Sequence, residues 1–84
     1  MPLVTMNFWA GARAAAGTPS ESVVASTVAD ALDAVLTRHD DAAFTRVIRA
    51  SSLLVDGMAV SATALGRPLE GATVVEVLPP FAGG

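Results

Sequence analysis

Cysteine is absent from the 84 residues of this chain. Its absence excludes disulfide bonds, thiolate metal sites and a cysteine nucleophile together. Lysine is also absent, and the five basic side chains are all arginines: Arg13, Arg38, Arg46, Arg49 and Arg67. Without an ε-amine the chain cannot receive an isopeptide bond on a lysine, although it can still donate its own C-terminal carboxylate.

Charged residues are scarce. They make up 15% of the chain against 52% apolar residues, with a mean hydropathy of +0.56, a balance typical of a compact globular chain. A length of 84 residues suits one small domain. The net charge of −3 and the pI of about 4.7 disfavour nucleic acid as a partner, because phosphates are bound by clustered Lys and Arg. We expect a basic protein partner instead.

Long apolar runs are missing as well. No uncharged apolar segment approaches the ~20 residues that are needed to cross a bilayer. Residues 1–16 carry no charge before Arg13, so the basic segment that opens a secretory signal peptide is not there. We therefore expect a cytoplasmic protein that makes no membrane contact.

Apolar patterns predict the strands. Alternate residues of the segment 3–9 are apolar and indicate a first strand. A short connection leads to a second strand over residues 21–26, which favours an antiparallel pair. The segment 73–78 is rich in β-branched residues and almost continuously apolar. We expect this last strand to lie centrally, beside the first, and to be buried on both faces.

A turn signal divides the segment between the helices and the last strand. Asp56 and Gly57 suit the two positive-φ positions of a type I′ turn, so residues 53–60 are predicted to form a hairpin. Gly and Pro then mark a loop, from which Leu65 and Leu69 are expected to enter the core.

Helical spacing predicts one main helix. A cap at Ser26 or Thr27 should accept hydrogen bonds from the first-turn amides. The residues that recur on one face are Val28, Leu32, Val35 and Leu36. A shorter helical turn over residues 12–17 should stop at Gly17.

The adjacent carboxylates of Asp40 and Asp41 invite an acid–base or metal interpretation. Because they follow the end of the main helix, we interpret them as a turn and the N-cap of a second short helix. Phe44 begins the apolar stripe of that helix, together with Val47 and Ile48. His39 alone supplies no catalytic set. We expect neither a metal site nor an independent enzyme.

The last strand leads directly into Pro79-Pro80-Phe81-Ala82-Gly83-Gly84. Two prolines end strand pairing and favour an extended segment, whereas glycines lack a Cβ and fit a narrow channel. We divide the chain into a domain, residues 1–78, and a flexible tail, residues 79–84. Fully extended, the tail would carry its carboxylate on the order of 20 Å outward.

A strand followed by Pro-Pro-x-x-Gly-Gly resembles the C-terminus of the MoaD/ThiS family of sulfur carriers, and most closely the small subunit of molybdopterin synthase. The segments 8–17 and 55–57 are also similar to that family, whereas Ala72 stands where the family commonly has Asp. The resemblance implies an α+β fold, the ubiquitin-like β-grasp. It has a mixed sheet of about four to five strands with its first and last strands parallel, one main helix on one face and an extended C-terminal tail.

The resemblance also implies a function. A ubiquitin-activating-type enzyme would use ATP to adenylate Gly84, and sulfur would then replace AMP to give a thiocarboxylate. That sulfur would be delivered to the pyranopterin precursor in the active site of the large subunit, during molybdenum cofactor biosynthesis. The chain itself would bind no cofactor and would be a co-substrate. Gly83 would let the tail pass, Arg13 would contact a partner, and four residues would dock the tail: Pro79, Pro80, Phe81 and Ala82.

Several alternatives stay open from the residues alone. The same thiocarboxylate would serve a carrier for thiazole, cysteine or another metabolite. A ubiquitin-like protein modifier, or a binding module whose tail does no chemistry, would show the same elements. Arg13 is equally a solvated loop residue, and Phe81 has two possible sites, on a partner or on the core of its own chain. Trp9 and Met58 are candidates for an apolar docking face on the sheet.

Overall fold

The computed structural model describes residues 1–80 as five strands and three helices with a short 3₁₀ helix. In chain order the elements are β1 Leu3–Phe8, α1 Ala10–Ala16, β2 Ser20–Val24, α2 Val28–His39, α3 Ala42–Ala50, β3 Ser52–Val55, β4 Met58–Ala59, the 3₁₀ helix Ala62–Gly66 and β5 Thr73–Leu78. The strands form one sheet in the order β2-β1-β5-β3-β4. The strand that comes last in sequence therefore lies in the middle of the sheet.

The sheet is mixed, as predicted. β1 pairs in parallel with β5, so that Val4 lies opposite Thr73 and Phe8 opposite Val77. β2 and β3 are antiparallel to their neighbours. The second strand begins at Ser20, one residue earlier than predicted, and ends at Val24. The predicted α+β fold, with a central last strand beside the first, is confirmed.

The three helices cover one face of the sheet, which we call the covered face. Its strand residues pack against buried side chains of α1, α2 and α3, and the core comprises Val4, Met6, Phe8, Ala12, Val23, Ala25, Val28, Ala31, Val35, Phe44, Ile48, Val75 and Val77. Side chains alternate along a strand. The intervening residues therefore point to the opposite, open face: Leu3, Thr5, Asn7, Val74 and Glu76.

One prediction for β5 is wrong. Val75 and Val77 are completely buried, but Val74 is 42% exposed and Glu76 is only half-buried. The strand is thus buried on one face. A run of apolar residues usually indicates a parallel strand that is covered on both sides, whereas the helices described over residues 1–80 pack on the covered face only.

The helix ends are capped as the sequence predicts. The Thr27 hydroxyl accepts a hydrogen bond from the Asp30 amide at 3.0 Å, and α2 begins at Val28. Asp40 ends that helix with φ 48°. Asp41 then caps α3, because its carboxylate accepts from the Ala43 amide at 2.8 Å. Asp40 thus ends α2 through its backbone and Asp41 caps α3 through its carboxylate, as the turn and N-cap interpretation predicts.

The Asp56-Gly57 turn is also confirmed. The two residues have φ values of 49° and 84°, which suit a type I′ turn. The Asp56 carboxylate accepts from the Val74 amide at 2.9 Å, and the Asp56 amide donates to the Val74 carbonyl at 2.8 Å. The turn is therefore bonded to the central strand. Beyond it, Leu65 and Leu69 pack against the core as predicted.

The described helices are short. The longest, α2, has 12 residues. Within residues 1–80, no helix has both the length and the apolar character that a membrane crossing requires.

Candidate functional site

The end of β5 is the place from which the tail departs. Pro79, immediately after the strand, is buried, whereas Pro80 is exposed. The boundary between domain and tail at residue 79 stays a prediction. The first exposed residue after β5 is Pro80, one position later. Four of the predicted site residues, Phe81, Ala82, Gly83 and Gly84, lie outside the described part of the chain. The site can be described up to Pro80.

An open apolar cleft borders this exit. Its volume is about 400 Å³, and its lining residues come from α1, α3 and the start of the tail: Gly11, Ala43, Arg46, Val47, Ala50, Pro79 and Pro80. We call it the α1–α3 cleft. Small residues make the cleft because Gly11, Ala43 and Ala50 leave space where longer side chains would meet. The structure thus brings Pro79 and Pro80 together with residues that the sequence analysis placed elsewhere.

The cleft residues were missed for a clear reason. The sequence analysis placed Val47 in the apolar stripe of α3, and Val47 is half-buried against the core. Arg46, next to it on the same helix, is exposed. What no local pattern shows is that α1 packs beside α3. The exposed alanines of α3 that line the cleft, Ala43 and Ala50, were the one feature of the sequence that could have indicated it.

A polar network holds β1 and β5 together on the open face near the same exit. Glu76 accepts a hydrogen bond from the Trp9 indole at 2.9 Å and another from the Asn7 amide group at 3.2 Å. The Trp9 backbone amide also donates to the Val77 carbonyl at 3.3 Å. Trp9 is 49% exposed. Because these bonds join the end of β1 to the end of β5, they fix the direction in which the chain leaves the sheet.

Arg13 lies on α1 and is exposed. It follows Gly11 by two positions, or about 200° around a helix, so its side chain points away from the α1–α3 cleft. Its predicted partner contact stays a prediction. Met58, at 72% exposure, lies on the edge strand β4, apart from the exit of β5.

A charged cluster forms elsewhere, between β2 and the end of α2. Glu21 contacts His39 Nε2 and accepts from Arg38 Nη1 at 3.1 Å. The His39 ring also stacks on Phe44, with ring centroids 4.0 Å apart. These contacts tie α2 to β2 and to the core, which is a structural role. Among residues 1–80, no three His, Asp or Glu side chains gather as a metal-binding group.

Comparison with solved structures finds the same fold in proteins of similar length. The solution structure of small archaeal modifier protein 1 (SAMP1) from Methanosarcina acetivorans matches with a TM-score of 0.81 and 24% identity, over 100% of this chain and 98% of that one. The crystal structure of SAMP1 from Haloferax volcanii matches with a TM-score of 0.79 and 26% identity, over 98% and 99% of the two chains.

A third match is a complex. The protein–protein complex of subunits 1 and 2 of molybdopterin-converting factor from Helicobacter pylori matches with a TM-score of 0.70 and 18% identity, over 98% of this chain and 99% of that one. No protein-family model and no curated protein matches the sequence. The resemblance noted in the sequence is confirmed in three dimensions. The chain has the ubiquitin-like β-grasp fold, and its structural neighbours are SAMP1 proteins and subunit 1 of molybdopterin-converting factor.

Proposed function

We propose that this chain is a sulfur carrier and the small subunit of a molybdopterin synthase, with Gly84 as its C-terminal reacting residue. One observation carries the proposal: a β-grasp body whose central strand passes directly into Pro79, which is buried, and Pro80, which is exposed. The residues after that point are Phe81-Ala82-Gly83-Gly84. Subunit 1 of molybdopterin-converting factor, which has this fold, forms a complex with subunit 2 in Helicobacter pylori.

The chemistry needs activation of the carboxylate. An ionised carboxylate is a poor electrophile at neutral pH. Adenylation joins a Gly84 carboxylate oxygen to the α-phosphorus of ATP and releases pyrophosphate. Sulfur delivered as hydrosulfide then attacks the acyl carbon, the bond to AMP breaks, and AMP and a proton leave to give a thiocarboxylate. Because the chain has no cysteine, the carboxylate is the group through which it carries sulfur.

The body of the domain supports the tail rather than performing the chemistry. Pro79 is buried and Pro80 exposed, so the exit point is fixed by packing on one side and free for contact on the other. The Glu76 bonds to Trp9 and Asn7 hold the preceding strand in place. A fixed exit reduces the conformational entropy that is lost when a partner takes up the tail.

Two partners follow from this role. The first is a large subunit, in whose active site the thiocarboxylate gives its sulfur to the pyranopterin precursor. The second is an adenylating enzyme of the ubiquitin-activating type, which binds the ATP. The chain is therefore a co-substrate that works in the cytoplasm, and the catalytic side chains belong to its partners.

A protein modifier is the second candidate function. It is favoured by a specific observation, because two of the matched structures are small archaeal modifier proteins at 24% and 26% identity. The activation of Gly84 would be the same, but the acyl group would pass to an amine of a target protein. Only the acceptor differs between the two candidates.

Intact-mass measurement of the chain isolated from its native cells separates these functions. A carrier shows a fraction whose mass is raised by the replacement of one oxygen with sulfur, and that fraction disappears when Gly84 is deleted. A modifier is found linked to a target lysine. Thermal unfolding of the deletion variant is the control, since residues 1–80 contain the whole described core. Sulfur loading that survives the deletion would falsify the proposal.

A further inference from the structure

The α1–α3 cleft lies beside Pro80, the last residue that the structure describes. Four residues, 81–84, follow Pro80 in the sequence. Fully extended they reach roughly 13 to 14 Å. Any active site that receives the Gly84 carboxylate must therefore lie within that distance of Pro80.

This distance requires that the partner cover the exit. A stable protein interface buries about 800 Å² on each side, a patch roughly 30 Å across. A patch centred on Pro80 includes the cleft, because Pro80 is itself one of its walls. An apolar cleft at the centre of an interface is the kind of place where a few side chains dominate affinity.

The walls indicate what kind of group fits. Val47, Pro79 and Pro80 give apolar contact, and Gly11 and Ala43 leave room for a side chain. Arg46 lines the same cleft and is exposed. A guanidinium at the border of an apolar site favours a carboxylate on the partner. The complementary group is an apolar side chain with an acidic residue beside it.

We propose that the α1–α3 cleft is the docking site for an apolar side chain of the large-subunit partner, with a partner carboxylate opposite Arg46. The inference rests on the proposed function, because it takes the partner to be the protein that receives the tail. It assigns an affinity role to the face of α1 that bears Gly11 and to α3, whereas the sequence analysis predicted a partner contact on α1 only for Arg13.

The chain offers a direct way to fill the cleft. Gly11 has no heavy atom within 4 Å of the position where a Cβ would stand, and it does not need a positive φ. Because Gly11 lines the cleft and a Cβ there meets no neighbouring atom, Gly11→Phe adds an aromatic ring at the cleft from a position with open surroundings. Gly66 has the same open surroundings and no need of positive φ, and it lies at the end of the 3₁₀ helix. Gly66→Phe is the matched control, which adds the same ring elsewhere.

The test measures binding of the full-length chain to the large subunit by calorimetry, together with thermal unfolding of each variant. Gly11→Phe should weaken binding by about tenfold or more, and Gly66→Phe should leave it unchanged. Arg46→Glu should weaken binding several-fold and reverse the salt dependence of the association rate. All variants should keep the unfolding temperature of the parent chain.

The other outcomes overturn the inference. Equal affinity of the Gly11→Phe and Gly66→Phe variants would mean that the partner leaves the cleft empty. Tighter binding by Gly11→Phe would mean that the chain's own Phe81 had occupied it. A concentration-dependent dimer of the parent chain, lost in Gly11→Phe, would mean that a second copy had done so.

Failure of the proposed function gives a different result. In that case, deletion of residues 83–84 leaves sulfur loading and transfer unchanged, whatever the cleft variants show. If the deletion abolishes transfer while Gly11→Phe binds normally, the proposed function stands and the docking inference fails.

Discussion

The two faces of the sheet are built from the same strands but differ in what they contribute. On the covered face, Val4, Met6 and Val75 have no exposed surface. On the open face, one residue along, Leu3 is 49% and Val74 42% exposed. The open face is held partly by polar contacts, with Glu76 bonded to Trp9 and Asn7.

This difference teaches where the stability of a small domain is concentrated. Burial of apolar area is the main favourable term in folding, and here it comes from one face only. The open face, with its solvent-exposed hydrogen bonds, is left to orient the exit of β5. Substitutions on the two faces should therefore differ in their effect on the free energy of unfolding.

The largest effect is expected for Phe44→Ala. Phe44 has no exposed surface and lies edge-on to Phe8, with ring centroids 5.7 Å apart. Its truncation should lower the free energy of unfolding by roughly 3 to 5 kcal/mol in urea titration. Trp9→Ala removes an aromatic ring from the open face and should cost less than half as much. Equal losses would contradict the comparison.

Val74 and Val75 are neighbours in β5 and lie on opposite faces, so they allow a more closely matched comparison of the two faces. Val75→Ala should destabilise by roughly 2 kcal/mol, from lost burial and the cavity that remains. Val74→Ala makes the same chemical change on the open face, where it should cost less than about 0.5 kcal/mol. Both values come from urea midpoints at a common m-value. A Val74→Ala loss as large as that of Val75→Ala would show that the open face is covered in solution.

A substitution where the chain passes from β1 to α1 should raise the stability of the domain. Ala10 has φ 46°, a left-handed conformation, directly after Trp9 and at the start of α1. An L-residue is strained there by roughly 1 kcal/mol, whereas glycine is not. Ala10→Gly should therefore raise the unfolding midpoint in urea. The control is Ala14→Gly within α1, which should lower it, since glycine disfavours a helix. A lower midpoint for Ala10→Gly would refute the strain.

The smallest effect is expected for Trp9→Phe. The indole bond to Glu76 is exposed, and a bond of this kind contributes of the order of 0.5 to 1 kcal/mol. Loss of stability should stay within that range, and Glu76→Gln should lose no more. Amide hydrogen exchange at Val77 and Leu78 should nevertheless increase in Trp9→Phe, because the end of β5 is held less firmly. Unchanged amide exchange would show that the bond between Trp9 and Glu76 does not hold the end of β5 in place.

Much of the fold followed from local patterns. The Asp56-Gly57 turn, the Thr27 cap and the end of α1 at Gly17 each depend on a few neighbouring residues, and the structure confirms all three. The parallel pairing of β1 with β5 came from the resemblance, since periodicity shows strands but not their partners. The burial of β5 was misjudged for the same reason: composition cannot show which side a helix covers.

Less of the candidate site could be predicted from the sequence. The tail motif pointed to Pro79 and Pro80, but the cleft beside them joins residues from two helices and the end of the last strand. The contact of Glu21 with His39 likewise spans 18 positions. No short pattern encodes such pairs, because they arise when separate elements pack. Sequence therefore indicated the exit of the chain and missed the surface around it.

The parallel partnership of the first and last strands has a consequence for how the domain assembles. Asn7 and Glu76, which bond across it, stand 69 positions apart in the sequence, so the loop that must close before they meet spans most of the chain. Without β5, what is left is two separate ribbons, β2 with β1 and β3 with β4, and an isolated two-stranded ribbon has little stability. We therefore expect that a chain without β5 loses the whole sheet rather than one edge of it.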